Sequence, residues 1–175
     1  KEERKSATKY IKWSSKEMMK SLKGLSPSQL SFKENEDKWS IQECLYHVAF
    51  SEEALRGALD GALAQPPNPS VKATLTNTDD QIKSMITVRS QKVKTAPPFE
   101  PLNTGLKSYD EAMTKFKMKR TALLELVKTS KADLRNQIVE LPFAKMDAYQ
   151  FILFIAGHTN RHTQQMEEVK AASGY

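Results

Sequence analysis

The sequence predicts an all-α fold, a four-helix bundle with long crossover connections and a short extra helix. Three observations carry that expectation. Apolar residues recur along most of the chain at a period near 3.6 rather than 2. The chain holds only 6 glycines in 175 residues, and strand signals are scarce. Two proline-rich stretches interrupt long amphipathic segments, as a bundle with substantial connections requires. With 39% hydrophobic content, residues 1–175 are expected to form one domain with a sizeable core.

From Glu2 to Lys23 the residues Ala7, Ile11, Met18 and Leu22 fall at helical spacing, and Gly24 supplies the C-terminal stop. Gly24-Leu25-Ser26-Pro27 breaks this first helix, and Phe32 to Lys38 is a polar connection to Trp39. The second helix begins at Ser40, because Ser40 and Glu43 form a capping box in which each side chain satisfies a backbone donor of the first turn. It runs to Leu63. Gln65-Pro66-Pro67-Asn68-Pro69 must then leave the helical conformation, since proline removes a donor and restricts the residue before it. Thr78-Asp79-Asp80-Gln81 repeats the capping pattern, and Ile82, Met85, Ile86 and Arg89 continue it as the short extra helix, ended before Pro97-Pro98-Phe99-Glu100-Pro101. Ser108 and Glu111 open the third long helix, whose buried face carries Ala112, Phe116, Leu123 and Val127. A short helical turn is expected after Ser130. Leu141-Pro142-Phe143 separates it from the last helix, which opens at Asp147 as N-cap and carries Phe151, Ile155, Met166 and Val169 on one stripe.

The chain has three histidines. His158 and His162 are four apart, which places them on one helix face about one turn, roughly 6 Å, from each other. Both lie on the apolar stripe of the last helix and so face inward. His47 shares a stripe with Cys44, Ser51, Ala54 and Ala58, whose small side chains leave room for a pocket. Inward imidazoles must find hydrogen-bond partners, water or a metal, because an unpaired buried polar group costs about 1–3 kcal/mol. Three imidazoles would leave coordination positions open for water or substrate, as catalytic zinc sites do. The alternative is a set of satisfied core histidines.

Around this set, Cys44 reads as a small core residue, with a reactive thiol or a fourth metal ligand as the alternatives. Glu43 reads as a cap, and as a group that could accept a proton or order an imidazole from behind. Arg120, four residues after Phe116, either directs a guanidinium into the pocket to bind an anionic group or takes a surface or packing role. Gln165, three residues after His162, is placed to hydrogen-bond near the site, and Ser51 is a pocket candidate. Glu52 reads as a surface or interhelical charge. Trp13 and Trp39 read as packing residues, with a pocket wall as the alternative. No residue is singled out as a catalytic acid or base.

A formal charge of +6 raises the question of nucleic acid, but the basic residues are spread along every segment and interleaved with acids. That pattern describes a solvated surface, and no nucleic-acid partner is expected. No apolar run approaches the ~20 residues of a transmembrane helix. The single cysteine precludes an intrachain disulfide. The sequence starts at Lys1 without methionine, which leaves room for a removed leader, so localisation stays open between the cytoplasm as default and export. Exposed bundle faces permit a homodimer.

The Trp39-Ser40-Ile41 start, Tyr46-His47-Val48, and the closing Gly157-His158-Thr159-Asn160-Arg161-His162-Thr163-Gln164-Gln165 together resemble the DinB-like (DinB/YfiT-like) metal-binding bundle family. The resemblance spans nearly the whole chain, including the Gly24-Leu25-Ser26 break and Phe116-x-x-x-Arg120. It implies a four-helix bundle with unusual connections and a divalent metal, zinc or nickel, on His47, His158 and His162. It also implies a small-molecule substrate, handled by transfer to a low-molecular-weight thiol or by hydrolysis. A non-catalytic bundle that stores, senses or is stiffened by its metal is the alternative.

Overall fold

The computed structural model describes residues 1–90 and 92–175. Its first helix, α1 (Glu2–Leu22), has Glu2 and Glu3 in its first turn and Lys20 in its last, the arrangement that the helix dipole favours. The chain leaves it through Gly24, whose φ of +74° is one that side chains with a Cβ rarely adopt. A short helix, α2 (Pro27–Ser31), follows inside the expected connection, with Ser26 and Gln29 forming a reciprocal capping box around Pro27.

Helix α3 (Ile41–Leu63) starts as the sequence predicts: the Glu43 amide donates to Ser40 Oγ at 3.1 Å and the Ser40 amide to Glu43 Oε2 at 2.8 Å. The proline-rich stretch after it contains one helical turn, α4 (Pro69–Lys72), capped by Asn68. The short extra helix, α5 (Asp79–Thr87), has the expected Thr78/Gln81 box but stops before Arg89. Two 3₁₀ turns, Pro97–Phe99 and Pro101–Asn103, lead to α6 (Tyr109–Thr129). Ser108 caps α6, while the Glu111 carboxylate takes the Lys107 amide instead of closing the box.

The region before the last helix departs from expectation. Where a helical turn and a separator were predicted, Asp133 closes a turn, accepting the Asn136 and Gln137 amides at 3.1 Å each. An antiparallel hairpin follows, β1 (Ile138–Leu141) and β2 (Ala144–Asp147), joined at Pro142-Phe143 with Val139 opposite Met146. Those two side chains are both buried and anchor the hairpin to the core. Asp147 then ends β2 and caps α7 (Ala148–Lys170), accepting the Gln150 amide at 2.7 Å.

The four long helices form the bundle, with α7 and α6 each packed on both α1 and α3. Helices α1 and α3 therefore occupy opposite corners, and so do α6 and α7. Helix α1 runs parallel to α7, since the Tyr10 hydroxyl lies against Gly157 and Ser21 reaches Glu167 further along. Helix α3 runs antiparallel to α7: Ile41, Cys44 and Leu45 from its start share one core cluster with Met166 and Val169, and Leu59 and Ala62 from its end share the other with Phe151 and Ile152. The long crossover from α3 to α6 lays α5 against α7. This cover explains why Ala148 to Gly157 is buried on every side and apolar almost throughout. No helix among the described residues is long and apolar enough to cross a membrane.

Helices α5 and α7 approach at Gly157, where a Cβ would collide with Ile86 Cγ2 and stand 3.4 Å from the Tyr10 hydroxyl. Alanine there would gain about 1 kcal/mol of helix propensity. Displacing the stiff, β-branched Ile86 and its helix would cost about 1–3 kcal/mol. Gly157→Ala is therefore expected to lower the melting temperature by a few degrees, read by thermal denaturation. A raised melting temperature would mean that α5 gives way freely.

Candidate metal centre

Helix α3 presents His47, and α7 presents His158 and His162 one turn apart, so the antiparallel pair brings all three imidazoles together. Their ring centroids are 4.4, 4.6 and 5.1 Å apart. One ligand nitrogen from each ring lies within 4.8 Å of the others. Nitrogens bound at about 2.1 Å to one tetrahedral ion stand about 3.4 Å from each other. The His47 and His158 Nε2 atoms, 3.1 Å apart, already have nearly that spacing.

Two neighbours fix which nitrogens face inward. A backbone carbonyl only accepts, so the 2.7 Å contact from His47 Nδ1 to the Phe99 oxygen puts the proton on Nδ1 and leaves Nε2 bare. Gln165 Oε1 plays the same part at 2.9 Å from His162 Nδ1. His158 Nδ1 is buried without a partner among the described residues, and its Nε2 faces the bare nitrogen of His47. A donor set of this kind, two oriented lone pairs and a third imidazole free to join them, fits a divalent transition ion. No carboxylate or thiol joins the three among the described residues, so protein ligands alone would not saturate the ion.

All three imidazoles are held below the ordinary histidine range. Burial is the largest cause in each case; the Phe99 carbonyl opposes it at His47, and the neighbouring imidazoles add to it at His158 and His162. Neutral rings are the form that ligates. The sign of the resulting pH dependence follows from linkage. With folded values below the unfolded 6.5, the folded state binds fewer protons, so stability is complete above pH 6.5 and is lost as pH falls through the folded values. Metal-stripped protein should thus melt at a steady temperature above neutrality and at falling temperatures below it. The His158→Ala, His162→Ala double variant should show a flatter profile, and an unchanged profile would refute this origin.

Trp39, expected mainly to pack, forms a wall of the site, with its ring 5.0 Å from that of His47 and stacked at 6.0 Å on that of His162. A cleft of about 410 Å³ opens beside His162, bordered by Trp39, Arg89, Glu100, Arg161 and Gln165. Arg89 grips Glu168 through two bonds of 2.6 and 2.7 Å and reaches Gln165 Oε1 at 3.5 Å, so the residue orienting His162 is itself held in place. Neither Arg89 nor the Phe99 carbonyl was identified from the sequence.

The other residues read around the histidines lie outside the cleft. Arg120 does not border the cleft. It is buried between α3, α6 and α7, where its Nη2 meets Glu52 and Thr159 closely and the Ile155 carbonyl at 3.2 Å. The buried Glu52 carboxylate supplies the countercharge that draws it inward. Glu52 is thus an interhelical charge at the centre of the bundle. Ser51 is buried one turn after His47, outside the cleft lining, with no partner for its hydroxyl among the described residues. Glu43 is occupied by its cap. Cys44 sits in the apolar cluster with Met18, Leu45 and Phe116, and burial pushes its thiol far up, so it is neither reactive nor part of the histidine group.

A four-helix bundle with diagonal connections and three imidazoles shared between α3 and α7 defines a recognisable class. Residues 10–166 match the model of the DinB superfamily, and the chain belongs to that family. It is 25% identical over 150 residues, 85% of this chain and 88% of the relative, to the uncharacterized protein YuaE of Bacillus subtilis. YfiT from Bacillus subtilis, described as a probable metal-dependent hydrolase with an unusual four-helix bundle topology, is similar over 100% of this chain and 90% of its own, with a TM-score of 0.67 and 11% identity. At that identity the likeness speaks for the fold.

Proposed function

We propose that this chain is a metal-dependent enzyme acting on a small molecule, with His47, His158 and His162 holding a divalent transition ion, zinc or nickel. The observation that carries the reading is the convergence of three imidazoles, two of them oriented by Phe99 and Gln165, with no fourth protein ligand among the described residues, beside an open cleft. The description of YfiT as a probable metal-dependent hydrolase supports it. A divalent ion so held supplies Lewis acidity, which lowers the pKa of a bound water by several units and deprotonates a bound thiol. Water leads to hydrolysis, and a low-molecular-weight thiol leads to thiol transfer. Phe99 and Gln165 keep the imidazoles turned toward the ion, and Trp39 shields them from bulk water on one side. Arg89 and Arg161 place positive charge at the cleft border, which favours an anionic part of the substrate.

The test is to load the purified protein with zinc or nickel. It is then assayed against activated esters and amides, and against electrophiles with and without a low-molecular-weight thiol. Turnover that disappears on chelation and in His47→Ala is the expected result. An ion bound without exchangeable positions, with no turnover in either assay, would favour a structural, storage or sensing role.

A further inference from the structure

The positive charge of this protein is gathered on one helix face. Residues 1–23 carry eight lysines and arginines against three glutamates, so they account for five of the six net positive charges and the remainder of the chain is nearly neutral. Along the linear sequence these residues look dispersed, but the helix sorts them. Lys5, Lys9, Lys12, Lys16 and Lys20 recur every three or four positions and are all exposed, on the side of α1 opposite the buried Ala7, Ile11, Ser14 and Met18. Lys23 continues the basic run at the C-cap. Only Lys5 is paired, with Glu2, and none of the other five forms an ion pair among the described residues.

The row from Lys5 to Lys20 is about 22 Å long on a helix whose opposite side is fixed in the core. Trp13, 44% exposed, flanks the row. Near its end a shallow groove of about 460 Å³, with Lys16, Lys20 and Lys23 around Met19 and Tyr109, has room for an anionic headgroup.

We propose that this face of α1 docks on an anionic lipid surface, with the lysine row on the headgroups and Trp13 at their level. A straight row of ammonium groups on a rigid scaffold matches a plane of negative charge, each lysine adding to the attraction, and tryptophan favours the membrane interface. The same row is less suited to single-stranded nucleic acid, which needs open aromatic faces for its bases. Trp13 is already stacked on Tyr10, at 5.5 Å and 12°.

The experiment is co-sedimentation of the whole chain with phosphatidylcholine vesicles, with and without about one-third phosphatidylserine, at low and high salt. The comparison is with Lys9→Gln, Lys12→Gln, Lys16→Gln, Lys20→Gln, and with a control of equal charge, Lys107→Gln, Lys117→Gln, Lys128→Gln, Lys131→Gln. The expected result is salt-sensitive binding to the serine-containing vesicles, reduced about a hundredfold or more by the α1 substitutions and little by the control. Glutamine has nearly the helix propensity of lysine, and an unchanged melting temperature shows that the α1 variant is folded. No binding to the anionic vesicles, or equal loss in both variants, would overturn the proposal. So would tighter capture of a duplex DNA or RNA fragment that the α1 substitutions abolish.

Discussion

Replacing Arg120 with methionine is expected to cost about 3–5 kcal/mol of stability, because it strands the Glu52 carboxylate in the core. Both groups are buried and oppositely displaced by burial, which pushes the glutamate up and the arginine down, while each opposes the shift of the other. In a protein of this size such a loss corresponds to a melting temperature lower by roughly 10 °C. The partner substitution should reverse most of it. In Glu52→Leu, Arg120→Met no charge is left buried, and Thr159 can turn its hydroxyl to the Ile155 carbonyl of its own helix. The double variant is therefore expected within about 2 kcal/mol of the parent. Denaturant unfolding of the parent, the single variants and the double variant gives the coupling. A single Arg120→Met variant as stable as the parent would refute the assignment. The pair also bears on the metal centre, since Glu52 lies one turn and a half after His47 and Thr159 directly follows His158. It ties α3 to α7 where the imidazoles meet.

Much of this architecture was legible because it is written in local chemistry. Ser40, Thr78, Ser108 and Asp147 cap helices that begin where their side chains can accept an amide three residues on. The inward placement of His158 and His162 followed from the stripe they share with Phe151 and Ile155. What escaped depends on short or distant partners. The hairpin strands have four residues each, so alternation has little length in which to show. The α2 box was present in Ser26-Pro27-Ser28-Gln29 and was masked by the reading of Pro27 as a breaker alone. Arg120 and Glu52 are 68 positions apart, and nothing local to either announces the other. The group that sets the His47 tautomer is a backbone carbonyl 52 positions away, which carries no side-chain signature. The lysine row of α1 is periodic in the sequence, yet reading charge by segment hid what reading it by helix face reveals.

The largest functional effect is expected from the histidines themselves. Removing His158 and His162 together leaves His47 as the lone imidazole of the group, and one neutral nitrogen does not retain a divalent ion against chelation. The fold should survive, because α7 is held by its apolar faces, and the variant should gain stability at acid pH relative to the metal-stripped parent. Elemental analysis of untagged protein reconstituted with zinc, nickel or manganese, in the parent and in the His158→Ala, His162→Ala variant, decides whether the three imidazoles hold a metal. About one ion per chain in the parent and none in the variant is the expected result. No ion in either protein, or an equal amount in both, would contradict it and leave the three imidazoles as polar members of the core.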